Sequence, residues 1–134
     1  MLVDWENFNY LPVILGGIAY MVYGGIYYSV ILSNKKKSNH KDILANQSNG
    51  SFKYIYSVII AFINSYLMAL LIQSTGSENV LVGMGVGFII GLIITLVYVK
   101  NSLFGLMSKK SLLVAIGDHL VIFTLIGLIQ GFFL

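Results

Sequence analysis

The chain has 134 residues, 57% hydrophobic and only 10% charged, with a formal net charge of +3 and a mean hydropathy of +0.86. That is more apolar surface than a soluble domain of this length can bury, so a water-soluble fold is excluded by composition. Cysteine is absent, which removes disulfides, thiolate metal sites and thiol nucleophiles.

The opening MLVDWENFNY holds Asp4 and Glu6 and no basic residue. It lacks the positive region of a cleaved secretory signal, so the first apolar segment is expected to be a permanent span. That span runs over about residues 10–32, with Pro12 in the first turn, where a missing N–H costs nothing. SNKKK ends it, and residues 33–52, rich in Lys, Asn and Ser, read as a flexible loop. A second span, about 54–73, leads through the turn STGSEN into a third, about 80–99, the two forming a tight hairpin. NSLFGLMSKK then connects to a last span over about 111–133. The expected fold is all-α: a single four-span transmembrane bundle over residues 1–134.

Every basic residue is lysine, which together with abundant Ile and Asn suggests an AT-rich bacterial genome. Lys35, Lys36, Lys37, Lys41 and Lys53 flank the first loop, and Lys100, Lys109 and Lys110 the third. The positive-inside bias places both loops in the cytoplasm, with both termini and the STGSEN turn on the other side of a bacterial cytoplasmic membrane. Trp5, Phe8 and Tyr10 are expected to anchor the outer interface, and Tyr54, Tyr56 and Tyr98 the inner one.

Helices in lipid associate through close backbone approach, so small residues at four-residue spacing are informative. Gly83, Gly87, Gly91 and Thr95 make such a row on span three. Gly117, Thr124, Gly127 and Gly131 make one on span four, and Gly17 and Gly24 one on span one. Packing within the chain is the expected use, a homodimer seam the alternative. Offsetting the chain by 54 residues aligns SVIIAFINS with SLLVAIGDH, which suggests two parallel helix-pair repeats with Asn64 and Asp118 at similar depth.

Asp118 is the acid inside a span, roughly 12 Å along the helix from Lys110. A carboxylate at that depth must be paired, hydrogen-bonded or neutral. It reads either as a proton- or cation-handling group or as a packing carboxyl satisfied by a hydroxyl, an amide or backbone. Tyr20, Tyr23 and Tyr27 share a face of span one, and Tyr27 is expected to bond Asp118, the alternative being that these tyrosines simply pack. Asn64 is expected to bridge helices. His119 points about 100° away from Asp118, in line with Phe123, Ile126 and Gln130, and reads as a helix-to-helix hydrogen-bond partner. No second His or Cys in the spans offers metal spacing, so neither metal nor cofactor is expected. No Ser, His and acid trio and no phosphate loop outside the spans supports an enzyme, and no nucleic-acid signal is present.

NYLPVILGGIAYMVYGGIYYS at span one, FKYIYSVIIAFINSYLMALLI at span two and NSLFGLMSKKSLLVAIGDHLV leading into span four together resemble a family of small bacterial membrane proteins catalogued as domain of unknown function seventeen-sixty-one. The chain departs from it at Tyr27, Tyr28, Ser29 and Val30, where the family usually shows Trp-Tyr-Ser-Pro, and its acid before the last helix's His or Arg is shifted here to Asp118. The resemblance implies a four-helix membrane fold and no mechanism. Two functions stay open: movement or sensing of a small solute or ion through a polar centre of Tyr27, Asn64 and Asp118, or an accessory role bound to another membrane protein.

Overall fold

The computed structural model describes residues 3–34, 51–76 and 79–133. They form four helices: α1 (Leu11–Asn34), α2 (Phe52–Ser74), α3 (Val80–Leu103) and α4 (Lys109–Phe132). Each is long and apolar enough to cross a membrane, since 23 or 24 residues at about 1.5 Å each exceed a hydrocarbon core of about 30 Å. The first-loop lysines Lys35, Lys36, Lys37 and Lys41, with most of the segment expected to be a flexible loop, lie outside the described residues, as do Ser77 and Glu78.

Local chemistry sets the helix ends. Asn9 Oδ1 accepts from Leu11 N at 3.1 Å, and Pro12 comes next, inside the first turn of α1. The Asn79 side chain accepts from Leu81 N at 2.8 Å and so caps α3, and Ser108 does the same for α4 through Ser111 N at 3.1 Å. α3 runs past Lys100 to a Schellman-type stop, with Leu106 N bonded to Asn101 O at 2.9 Å and Gly105 left-handed at φ +77°.

The bundle is apolar on the outside. On α1, Ile14, Ile18, Val22 and Ile26 recur every four residues and are all exposed. On α3 the buried residues are Gly83, Gly87 and Gly91, while Phe88, Ile89, Leu92 and Ile93 face outward. Such a surface is suited to lipid, where helices satisfy their own backbone polar groups. The interior centres on α4, whose Ile122, Phe123 and Ile126 pack with Met68 and Ile72 of α2.

The closest helix pair is α3 with α4. A side chain added at Gly83 would meet Gly127 O, one at Gly87 would meet Phe123 O, and one at Gly91 would lie 2.9 Å from Leu120 Cα. From the other helix, a side chain at Gly127 would meet Gly83 O, and one at Gly131 would lie 2.8 Å from Asn79 O. The two backbones touch from Asn79 to Gly91 on one side and from Leu120 to Gly131 on the other, so these glycines pack within one chain.

Four expectations are corrected. The tight hairpin is α3 with α4, not α2 with α3, because the glycine face of α3 turns to α4 while Ile90 and Ile94 hold α2 at the distance of a cavity. Gly24 has open space beside it, whereas Gly17 lies under the Phe62 ring, so the seam expected on α1 covers only its first half. Phe8 is buried rather than an interface anchor, packing with Val13 and Ala69 and edge-on to Tyr66. The equal depth expected of Asn64 and Asp118 fails as well. Asn64 shares a cavity with Phe123, five positions beyond Asp118 on α4, so Asn64 and Asp118 differ in depth by roughly 7 Å.

Candidate functional site

Asp118 is buried in the half of the bundle nearer the end that carries Lys53, Lys100, Lys109 and Lys110. It lies nine positions after Lys109 on α4, about 13 Å of helix. Four tyrosines of α1 approach α4 from one side. The Tyr28 hydroxyl donates to Asp118 Oδ2 at 2.6 Å. The neighbouring hydroxyls go to backbone instead: Tyr27 donates to Val114 O at 2.9 Å and Tyr23 to Gly117 O at 3.0 Å. The rings of Tyr23 and Tyr27 stack with centroids 5.5 Å apart.

The bond expected between Tyr27 and Asp118 is therefore made by Tyr28. One residue of helix is a turn of about 100°. Tyr27 points straight at the α4 backbone, over Gly117, where a side chain on that glycine would strike its hydroxyl. Tyr28 reaches around the edge of the helix and covers Asp118 from outside, its residue 42% exposed while Asp118 is 7% exposed. An aliphatic residue at 28 would leave the carboxyl facing hydrocarbon with one donor fewer, a costly arrangement in lipid.

His119 sits on the other flank of Asp118. Its Nδ1 is 2.8 Å from Ala115 O and 3.9 Å from Asp118 Oδ2. A carbonyl only accepts, so Nδ1 carries a proton and donates it to Ala115 O. The ring meets Tyr98 of α3 edge-on at 5.2 Å and stacks over Phe123 at 6.4 Å. The histidine thus bonds its own helix rather than a neighbouring one, which corrects the expected helix-to-helix role. Two titratable side chains, one facing α1 and one facing α3, stand side by side on α4. No three His, Asp or Glu side chains converge among the described residues.

Asn64 stands apart from this cluster. It is half-buried on α2, and the Tyr20 hydroxyl faces its amide. It lines a cavity of about 300 Å³ with Leu67 and Met68 of α2, Ile90 and Ile94 of α3 and Phe123 of α4. The polar centre expected of Tyr27, Asn64 and Asp118 is thus two places, with Tyr20 and Phe123, in edge contact at 6.5 Å, between them.

A second polar layer, not recognised in the sequence, ties the opposite half of the bundle. Gln130 is fully buried, and its Nε2 donates to Pro12 O at 2.9 Å with Ser65 Oγ at 3.3 Å. Ser65 Oγ in turn donates to Val13 O at 2.7 Å. Gly16 makes room, since a side chain there would strike Ser65 Oγ. Farther out, Asn9 and Gln73 exchange two bonds of 2.9 Å, and Asn9 Nδ2 donates to Phe133 O at 2.8 Å. The signal available was a lone glutamine in an apolar helix, opposite the early carbonyls of α1.

Comparison with known proteins brings no curated protein and no solved structure as a match. A family model does match, over residues 11–131, a stretch that contains the tyrosine ladder, Asp118, Gln130 and nearly all of the four helices. The chain is a four-span membrane protein belonging to the family described as Protein of unknown function (DUF1761).

Proposed function

We propose that the protein is a carrier or sensor of protons or small cations, that Asp118 is the group that exchanges them, and that it acts without catalysing a chemical reaction. The observation that carries this reading is a carboxyl buried within a span, held by one tyrosine hydroxyl and flanked by a histidine. Ionisable groups are expensive at such depth, and those that occur there mark ion or proton paths by default. Tyr28 covers the carboxyl from the side and is itself partly exposed, so the group that holds Asp118 lies at the surface of the bundle rather than in its core.

The proposed orientation puts that end in the cytoplasm and both chain termini outside. The start of α2, the end of α3 and the start of α4 lie together there and carry Lys53, Lys100, Lys109 and Lys110, which is the lysine asymmetry that sets orientation. A bacterial cytoplasmic membrane is the proposed location.

The test is pH-driven flux of protons, Na⁺ and K⁺ into liposomes holding the purified protein or its Asp118→Asn variant. Flux in the wild type that falls at least tenfold in the variant supports the reading. Equal flux from both, or none from either, favours a non-transporting protein that binds another membrane protein, and a discrete heterologous band on crosslinking in native membranes would strengthen that alternative.

A further inference from the structure

We propose that the cavity between α2, α3 and α4 binds a small, neutral, apolar molecule through one hydrogen-bonding oxygen held by Asn64. This goes beyond the reading of Asp118 and does not depend on it. Apart from Asn64, the walls are apolar: Leu67, Met68, Leu71, Ile90, Ile94 and Phe123. A carboxamide has two N–H donors and two acceptor positions, and among the described residues the Tyr20 hydroxyl faces this amide. Amide valences left open in hydrocarbon are costly, so the occupant must supply a polar atom here.

Depth decides which molecules can do so. Asn64 lies 12 residues after Phe52 and 10 before Ser74, near the middle of a helix about 35 Å long. A bilayer phospholipid keeps its headgroup and ester oxygens at the interface, roughly 15 Å away, and brings only methylenes to this level. Such a chain fills the apolar walls and leaves Asn64 unmet. A charged ligand fails for the opposite reason, because the walls offer no counter-charge and the site is at mid-membrane. The fitting occupant is uncharged, carries a phenol or carbonyl oxygen, and is small, since 300 Å³ is at the lower end of small-molecule sites. Phe123 supplies a flat wall for a ring and Met68 an adaptable one. Leu67 at the rim is 54% exposed, so entry is sideways from the bilayer.

The experiment is photolabelling of the full chain in nanodiscs with a diazirine-bearing naphthol and with the matching naphthalene that lacks the hydroxyl, adducts being mapped by mass spectrometry. The expected result is naphthol adducts concentrated on Leu67, Met68, Ile90 and Ile94, at least fivefold above the naphthalene. Asn64→Leu should reduce the naphthol yield to the naphthalene level. Leu67→Trp, placed on the exposed rim where folding is little affected, should block the entrance and reduce it equally. The proposal is overturned if the two probes label the wild type alike, if labelling spreads over lipid-facing residues such as Ile18 and Ile89, or if folded Leu67→Trp or Asn64→Leu protein is labelled undiminished.

Discussion

The Tyr28 hydroxyl meets Asp118 Oδ2 at 2.6 Å, joining the fifth turn of α1 to the third turn of α4. Interhelical hydrogen bonds in membrane proteins are worth about 0.6–1.7 kcal/mol, and a carboxylate acceptor puts this one near the top of that range. Tyr28→Phe is expected to destabilise the bundle by about 1–2 kcal/mol in an unfolding titration from mixed micelles. A double-mutant cycle with Asp118→Asn should return a coupling of about 1 kcal/mol. The same cycle with Tyr27→Phe should return a coupling near zero, because Tyr27 bonds Val114 O instead.

Glycine substitutions should divide sharply by position. Gly87→Ala drives a methyl onto the Phe123 carbonyl, which is backbone and cannot rotate away, so a loss of about 2–3 kcal/mol, or of folded protein altogether, is expected. Gly85 is two residues away and faces open space. Gly85→Ala should therefore stay within about 0.5 kcal/mol of the wild type, or improve helix stability slightly. Thermal unfolding of both variants in the same detergent checks the contrast.

Gln130 holds the other half of the bundle. Gln130→Leu keeps volume and removes the donor to Pro12 O and Ser65 Oγ, so a cost of about 1–2 kcal/mol is expected. Gln130→Ala adds a cavity in a fully buried position and should cost about 1–2 kcal/mol more. Equal effects of the two variants in an unfolding titration would show that the lost donor alone matters there, and a cost confined to Gln130→Ala would show that packing alone does.

Asn9 connects three elements: its side chain caps α1 and bonds Phe133 O, while its backbone exchanges bonds with Gln73. Asn9→Ala should leave the Gln73 pair and remove the other two bonds. The expected outcome is faster amide hydrogen exchange at Leu11, by about tenfold, with little change at Ile122 in the core.

Outside the spans, Asp4 is fully exposed, and the Asn7 side chain donating to its Oδ2 at 2.8 Å holds its carboxyl below the usual range. A depressed carboxyl favours the folded turn at neutral pH, and that preference fades as pH falls below about 4 toward the lowered value. Carbon-detected NMR titration of Asp4 should show its midpoint under the ordinary aspartate value, and Asn7→Ala should move it upward.

Composition and the period of the chain decide the number of helices and the rows of small residues on them. Four apolar runs of sufficient length become four helices because a backbone in lipid has no other way to satisfy its polar groups. The small-residue rows on α3 and α4 were visible because glycine spacing is itself the packing surface. Which helix meets which was not visible: an apolar helix offers nearly equivalent faces, and only the assembled bundle puts α3 on α4 and opens a cavity beside α2. The same limit applies to Asp118. Its depth alone demands a hydrogen-bond partner, but the choice of Tyr28 over Tyr27 rests on about 100° of helix rotation and on the room left by Gly117, which the tertiary structure alone decides.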